Sequence, residues 1–142
     1  MIIVERIESE TALKKAARVM LELRPAFTAD KVIEQILRQQ ANGYVLFGAF
    51  ENEVCVAVAG GLVGEKLAWG KHFYIDDFVT REGMRSQGVG ERLLNFCIEY
   101  AKANGCKSLH LDSGVQRFAA HRFYLRHKMD ITSHHFALEW AE

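Results

Sequence analysis

The segment with the clearest chemical potential is Arg85-Ser86-Gln87-Gly88-Val89-Gly90. It lies between a strand-like run, HFYIDDFVT, and a helix-like run, ERLLNFCIEYAKANG. The first turn of a helix carries backbone N–H groups without intrahelical acceptors, and a partial positive charge. Glycines beside such a turn let a ligand approach the main chain. Gly88 and Gly90 would allow that approach, and Arg85 would add charge toward the same oxygens. Two readings stand at this point: an anion cradle, or a tight strand-to-helix turn that holds nothing. Better-known phosphate loops do not fit. A P-loop needs GxxxxGK followed by Ser or Thr, and no Lys-Ser or Lys-Thr follows these glycines. A dinucleotide fingerprint needs GxGxxG, and Leu93 stands where the third glycine belongs.

Asp76 and Asp77 form an acidic pair just ahead of this loop. Alternation along a strand sends their side chains to opposite faces. The six histidines and three cysteines have no metal-binding spacing. His134 and His135 are adjacent on a strand pattern, so they diverge. His121 and His127 miss the i, i+4 spacing, and no HExxH or CxxC occurs. Cys97 and Cys106 read as small buried residues rather than nucleophiles.

The elements that must position these groups follow from hydrophobic periodicity. MIIVERIE reads as a first strand. A helix opens at Ser9 or Glu10 and runs to about Leu23, with Leu13, Ala16, Ala17, Met20 and Leu21 on one face. Thr28 can cap a second helix carrying Val32, Ile33, Ile36 and Leu37, which stops near Asn42-Gly43. YVLFGAFE and EVCVAVAGGLVGEKL read as strands joined by a short turn, and HFYIDDFVT as a third. The helix from about Gly88 to Asn104 buries Val89, Leu93, Leu94, Cys97, Ile98 and Ala101, and Gly105 suits its C-terminal cap. KSLHLDS reads as a strand, RFAAHRFYLRHK as a shorter helix, and MDITSHHFALEW as a closing strand. The unit Phe73 to Ser113 needs a crossover, so its two strands should be parallel. The expected class is α/β: a mixed α+β sheet with helices on both faces.

The chain has 142 residues, 49% of them hydrophobic, enough for one domain spanning residues 1–142. Eighteen basic residues balance eighteen acidic ones, so no global basic excess points to nucleic acid. The odd cysteine count argues against a disulfide framework and suits a reducing compartment. The N-terminal MIIVERIESE lacks the basic and apolar regions of a signal peptide, and no apolar run is long enough to span a membrane. The expected location is the cytoplasm.

Taken together, RSQGVG, the YIDDFVT before it and the ERLLNFCIEYAKANGCKSLHLDS after it resemble the coenzyme A-binding motif of the GNAT superfamily of N-acetyltransferases. That motif reads Gln/Arg-x-x-Gly-x-Gly/Ala. The later AHRFYLRHKM resembles the superfamily's second motif, in which an alanine and a Phe-Tyr pair lie on a helix. The two motifs span Tyr74 to about Met129. The resemblance implies a GNAT-like acyl-CoA N-acyltransferase fold, with the strands Phe73 to Thr80 and Lys107 to Ser113 parallel and splayed. Acetyl-CoA would be the cosubstrate, and no metal is implied. Backbone groups of Phe78, Val79 and Thr80 would pair with the pantetheine arm. N–H groups of Gln87, Gly88, Val89, Gly90 and Glu91, with Arg85 and Ser86 in the same loop, would hold the pyrophosphate.

The implied reaction is acetyl transfer to a primary amine by direct attack in a ternary complex. The amine must be neutral, the oxyanion needs a donor and the thiolate needs a proton. The resemblance makes Tyr124 the general acid; a core aromatic on an amphipathic helix is the competing reading. Asp76 or Asp77 would act as a base or as an anchor for a cation, with Asp112 or a water chain as alternatives. Either aspartate can equally be an acid paired with a basic neighbour. The superfamily's usual asparagine is Arg117 here, which can still reach cofactor phosphate, and its usual Gly-Phe turn is Lys128-Met129. Trp69, with Gly60, Gly61, Gly64 and Gly70, reads as a mobile loop on the acceptor side. The acceptor would be a small-molecule or peptide amine, with no nucleic-acid or membrane partner, and a homodimer is compatible. The alternative function is a non-catalytic acyl-CoA-binding module acting through a protein partner.

Overall fold

The structure is a computed structural model that describes residues 1–84 and 87–141. Its elements are β1 (Ile2–Arg6), α1 (Glu10–Leu23), α2 (Ala29–Gln40), β2 (Val45–Glu51), β3 (Val54–Lys66), β4 (Gly70–Thr80), α3 (Val89–Ala103), β5 (Ser108–Leu111) and α4 (Phe118–Arg126). The chain divides into two compact units, Met1–His110 and Leu111–Glu142.

In the first unit the helix starts follow local chemistry. Ser9 Oγ accepts from the Ala12 N–H at 3.1 Å, and Thr28 Oγ1 from the Lys31 N–H at 3.2 Å. Each satisfies a donor that the first turn leaves without a partner. Gly43, at φ +104°, ends the α2 segment in a conformation that side chains resist. The β2–β3 turn is Asn52-Glu53, both at positive φ, the backbone that a two-residue hairpin demands.

The sheet runs in the order β1-β2-β3-β4-β5. The first three pairings are antiparallel. β5 follows β4 through α3 and lies beside it, so that pair is parallel and the sheet is mixed. The Lys107 N–H donates to the Lys71 carbonyl at 2.8 Å, which aligns the starts of β4 and β5.

The sheet is covered on both faces. On one, Leu13, Ala16, Ala17 and Met20 of α1 and Val32 and Ile36 of α2 pack on Leu46, Phe50, Val58 and Val79. On the other, Phe96 and Tyr100 of α3 meet Phe47 edge-on, each at 5.0 Å between ring centres, and Tyr100 meets Phe73 at 5.5 Å. This explains why β2 reads as an unbroken apolar run instead of an alternating one.

Two expectations are corrected. Gly60, Gly61 and Gly64 are not in a loop; they lie inside β3, and Gly70 opens β4. Their small size serves close packing: a Cβ on Gly60 would strike the Tyr44 phenol, and one on Gly61 would strike the Tyr74 carbonyl. Trp69 lies flat on His110, with ring centres 3.5 Å apart. In the second unit the expected closing strand is absent: residues 129–141 carry no regular structure. An alternating pattern supplies a strand with a face, but a strand exists only beside a neighbour that completes its hydrogen bonds. No helix among the described residues is long and apolar enough to cross a membrane.

Candidate active site

The register of β3 and β4 slips at one place. Gly60 pairs with Asp77 and Gly61 with Ile75, so Asp76 is the extra residue of a β-bulge. Bulges bend a strand and re-aim its side chains. Strict alternation is therefore interrupted between Asp76 and Asp77: the Asp77 charge acts on Asp76, and both act on Tyr44.

Asp77 is fully engaged. Tyr44 donates its hydroxyl to Asp77 Oδ2 at 2.7 Å. Arg24 donates to Oδ1 from Nη2 at 2.8 Å and from Nε at 3.0 Å. The same guanidinium reaches the Asp76 carbonyl at 3.0 Å. Arg24 is the C-terminal cap of α1, so the helix end is tied to the bulge by side chain and backbone together. Tyr44 is buried at 3% exposure, in space left by Gly60. Burial, followed by the Asp77 charge and hydrogen bond, pushes its phenol far above the usual tyrosine range.

Asp76 keeps its carboxylate at an exposed position. Partial burial, then the Asp77 charge, raise its pKa above the ordinary carboxyl value, and Arg24 pulls it back. Of the two adjacent acids, one is tied into an ion pair and the other is open to solvent with its proton held more tightly.

β4 continues through Phe78, Val79 and Thr80, which pair with Ala59, Val58 and Ala57 of β3. β5 is only four residues long and starts level with Lys71, so it ends before β4 reaches Phe78. Beyond β4 the chain turns through Gly83, at φ +91°, and enters α3 at Gly88. Arg85 and Ser86 lie outside the described residues. Gly88 is the N-cap of α3, at φ +80° and ψ 2°, and no side chain caps the helix there. Ser9 and Thr28 fill that role in α1 and α2. The N-cap position of α3 therefore lacks the hydroxyl that its counterparts in α1 and α2 supply. This suits a bound anion.

In the second unit, Tyr124 is the buried residue of α4, and Arg117 caps that helix at its N-terminus. Burial raises the Tyr124 pKa and the Arg117 charge lowers it, with burial the larger effect, so the phenol stays protonated at neutral pH. Asp112 Oδ2 lies 2.9 Å from His135 Nδ1. Among the described residues, no cluster of three His, Cys, Asp or Glu is gathered as a metal site.

Arg24, Tyr44 and Gly60 were not legible as site residues in the sequence. No local pattern joins positions 24, 44, 60 and 77; the sheet register brings Gly60 to Asp77, and side-chain hydrogen bonds bring Arg24 and Tyr44 there.

The acetyltransferase (GNAT) family profile matches residues 10–129. The chain belongs to the acetyltransferase (GNAT) family. It is 32% identical over 125 residues to the uncharacterised N-acetyltransferase YhdJ of Bacillus subtilis, covering 87% of this chain and 88% of that one. Among solved structures, a transcriptional regulator from Bacillus halodurans C-125 superposes with a TM-score of 0.86 at 20% identity, covering 99% of this chain and 100% of the other. The aminoglycoside N-acetyltransferase AAC(6')-Iy in complex with CoA superposes with a TM-score of 0.85 at 15% identity, covering 99% and 95%. Those two likenesses establish a common fold. Family membership makes this protein an acetyl-CoA-dependent acetyltransferase.

Proposed function

We propose that this acetyltransferase works as one N-acetyltransferase domain, moving the acetyl group of acetyl-CoA directly to a primary amine in a ternary complex. The observation that carries this reading is the start of α3: a left-handed glycine at the N-cap, with no capping hydroxyl, and a preceding strand that outruns its parallel neighbour. Bound acetyl-CoA supplies the activated thioester. The first-turn amides from Gln87 to Glu91 receive the pyrophosphate, with Arg85 and Arg117 adding positive charge. Backbone groups of Phe78, Val79 and Thr80 pair with the pantetheine arm as an added strand would.

Asp76, the exposed acid of the pair, takes the proton from the incoming ammonium, directly or through water. Asp77 is already committed to Arg24 and Tyr44, which makes it a positioning residue. The neutral amine then attacks the thioester carbonyl carbon, a C–N bond forms, the nitrogen gives up its extra proton to water, and the C–S bond breaks. Tyr124 gives its phenolic proton to the departing sulfur, and solvent restores it. The reading draws on the family resemblance for Tyr124 and on its burial, which keeps the proton in place.

The test is release of free thiol from acetyl-CoA with a panel of amines. The panel includes aminoglycosides and glucosamine 6-phosphate, because acetyltransferases of those names share the fold, together with polyamines, amino acids and peptide N-termini. Acceptor-dependent thiol release, with the acetylated amine found by mass spectrometry, is the expected result. Tight acetyl-CoA binding with no transfer to any amine would overturn it.

A further inference from the structure

A cleft of about 310 Å³ opens on the α1 side of the sheet, beside the β2–β3 turn. Lys15, Arg18 and Arg81 line it, around an apolar wall of Val19, Val54 and Cys55. Val19 and Cys55 are buried, whereas Val54 is 48% exposed. The volume falls at the small end of ligand pockets, which start near roughly 300 Å³.

The three cations come from two separate parts of the chain. Lys15 and Arg18 stand three positions apart on α1 and share a face. The Arg81 N–H donates to the Val56 carbonyl at 2.8 Å, so the pairing of β4 with β3 reaches one residue past Thr80. Alternation then puts Arg81 on the face of Val79, which packs in the core beneath α1 and α2. Arg81 thus faces α1, on the side of the sheet away from α3.

The positive charge in the cleft is not cancelled locally. Among the described residues, Arg18 and Arg81 form no ion pair. Lys15 Nζ donates to the Glu53 carbonyl at 2.9 Å, a neutral acceptor that leaves the ammonium charge in place. Two acids, Glu22 and Glu53, share the lining, so it keeps one net positive charge. Glu22 Oε1 accepts from the Glu82 N–H at 2.9 Å. The cations bear on the apolar wall: burial raises the Cys55 pKa most, and Lys15 and Arg81 both pull it back.

We propose that this cleft binds a phosphomonoester with an apolar body, its phosphate on Lys15, Arg18 and Arg81 and its body against Val19, Val54 and Cys55. Guanidinium groups present paired N–H donors that match phosphate oxygens. A dianion answers the three cations more fully than a carboxylate does. Arg81 also stands at the root of the turn that leads through Gly83 to the start of α3, so the ligand would sit behind the coenzyme A loop and not in it.

The experiment titrates the full chain, saturated with coenzyme A, with phenyl phosphate and follows the backbone amides by NMR. Saturable shifts centred on Lys15, Arg18, Cys55 and Arg81 are expected, with a Kd below about 1 mM. Inorganic phosphate lacks the apolar body and benzoate lacks the second charge; each is expected to bind at least about tenfold more weakly. Arg18→Gln with Arg81→Gln is expected to weaken phenyl phosphate binding by about tenfold or more. Circular dichroism checks the fold of that variant, and the shifts in the parent protein locate the site even if it does not fold. Four results would overturn the proposal: shifts centred on α3, no saturation by about 10 mM phenyl phosphate, equal affinity for benzoate or inorganic phosphate, or unchanged affinity in the folded double variant.

Discussion

Tyr44 and Asp77 are joined by a 2.7 Å hydrogen bond from phenol to carboxylate, across a glycine that leaves room for the ring. Arg24 holds the other oxygen of the same carboxylate. Three separate parts of the chain, the end of α1, the start of β2 and the bulge of β4, meet at one carboxyl group. The arrangement makes Asp77 part of the framework and leaves Asp76 exposed.

Removing the Tyr44 hydroxyl should therefore cost stability. Tyr44→Phe leaves Asp77, largely buried, short of a donor, and a loss of about 1–3 kcal/mol is expected. Gly60→Ala forces a Cβ into the phenol and should cost a similar amount, roughly 1–3 kcal/mol. The two should not add, because the atom nearest the new Cβ is the hydroxyl that Tyr44→Phe removes. Urea unfolding of both single variants and the double variant gives the coupling; simple additivity would count against the packing described.

The acid limb of the pH–rate profile should follow the charges around Asp76. In the proposed role Asp76 works ionised, so activity should be held above its pKa and fall as pH drops through it. Asp77 raises that pKa and Arg24 lowers it. Asp77→Asn should therefore move the acid limb to lower pH and Arg24→Met to higher pH. Both substitutions break the same ion pair, so opposite shifts separate electrostatics from general damage. Shifts in the same direction would remove Asp76 from the role of base.

Gly88→Val should weaken coenzyme A binding by about tenfold or more. A Cβ at Gly88 meets nothing within 4 Å, so the effect comes from holding a β-branched residue at φ +80°. Gly83→Val is the control. It carries the same kind of strain at φ +91°, also in open space, but stands before the amide cradle. Calorimetric titration with coenzyme A should show a loss for Gly88→Val and little change for Gly83→Val.

Tyr124→Phe should lower kcat by roughly 10²–10⁴-fold while coenzyme A affinity is retained. Equal losses in affinity and turnover would mark Tyr124 as a packing residue of α4.

The three thiols should separate by reactivity. Burial pushes the Cys55 thiol up to about 11 and the Cys97 thiol up to about 12, whereas Cys106 is only half-buried. Alkylation with iodoacetamide at pH 8 should label Cys106 first, as read by peptide mass spectrometry, because thiolate is the reactive form.

The local features of the fold were legible because neighbouring residues cause them. Ser9 and Thr28 cap helices through their own hydroxyls, and Gly43 and Gly105 end them at positive φ. The periodicity of Leu93, Leu94 and Cys97 marks the buried stripe of α3 before any sheet is known. The RxxGxG spacing likewise locates a helix start that lacks a side-chain cap. Composition misled where close packing uses glycine for its missing Cβ: Gly60, Gly61 and Gly64 looked like a loop and lie within a long strand.

By itself, then, the sequence determined the order of elements, the glycine cap of α3 and the family motifs. All of these depend on residues a few positions apart. Tertiary structure alone decided which aspartate is tied and which is open. That difference arises from a register slip between β3 and β4 and from partners 33 and 53 positions away, at Tyr44 and Arg24. It also decided that MDITSHHFALEW is not a strand within one chain. Alternation can write a strand's face, but the hydrogen bonds that make it a strand must come from a neighbouring backbone.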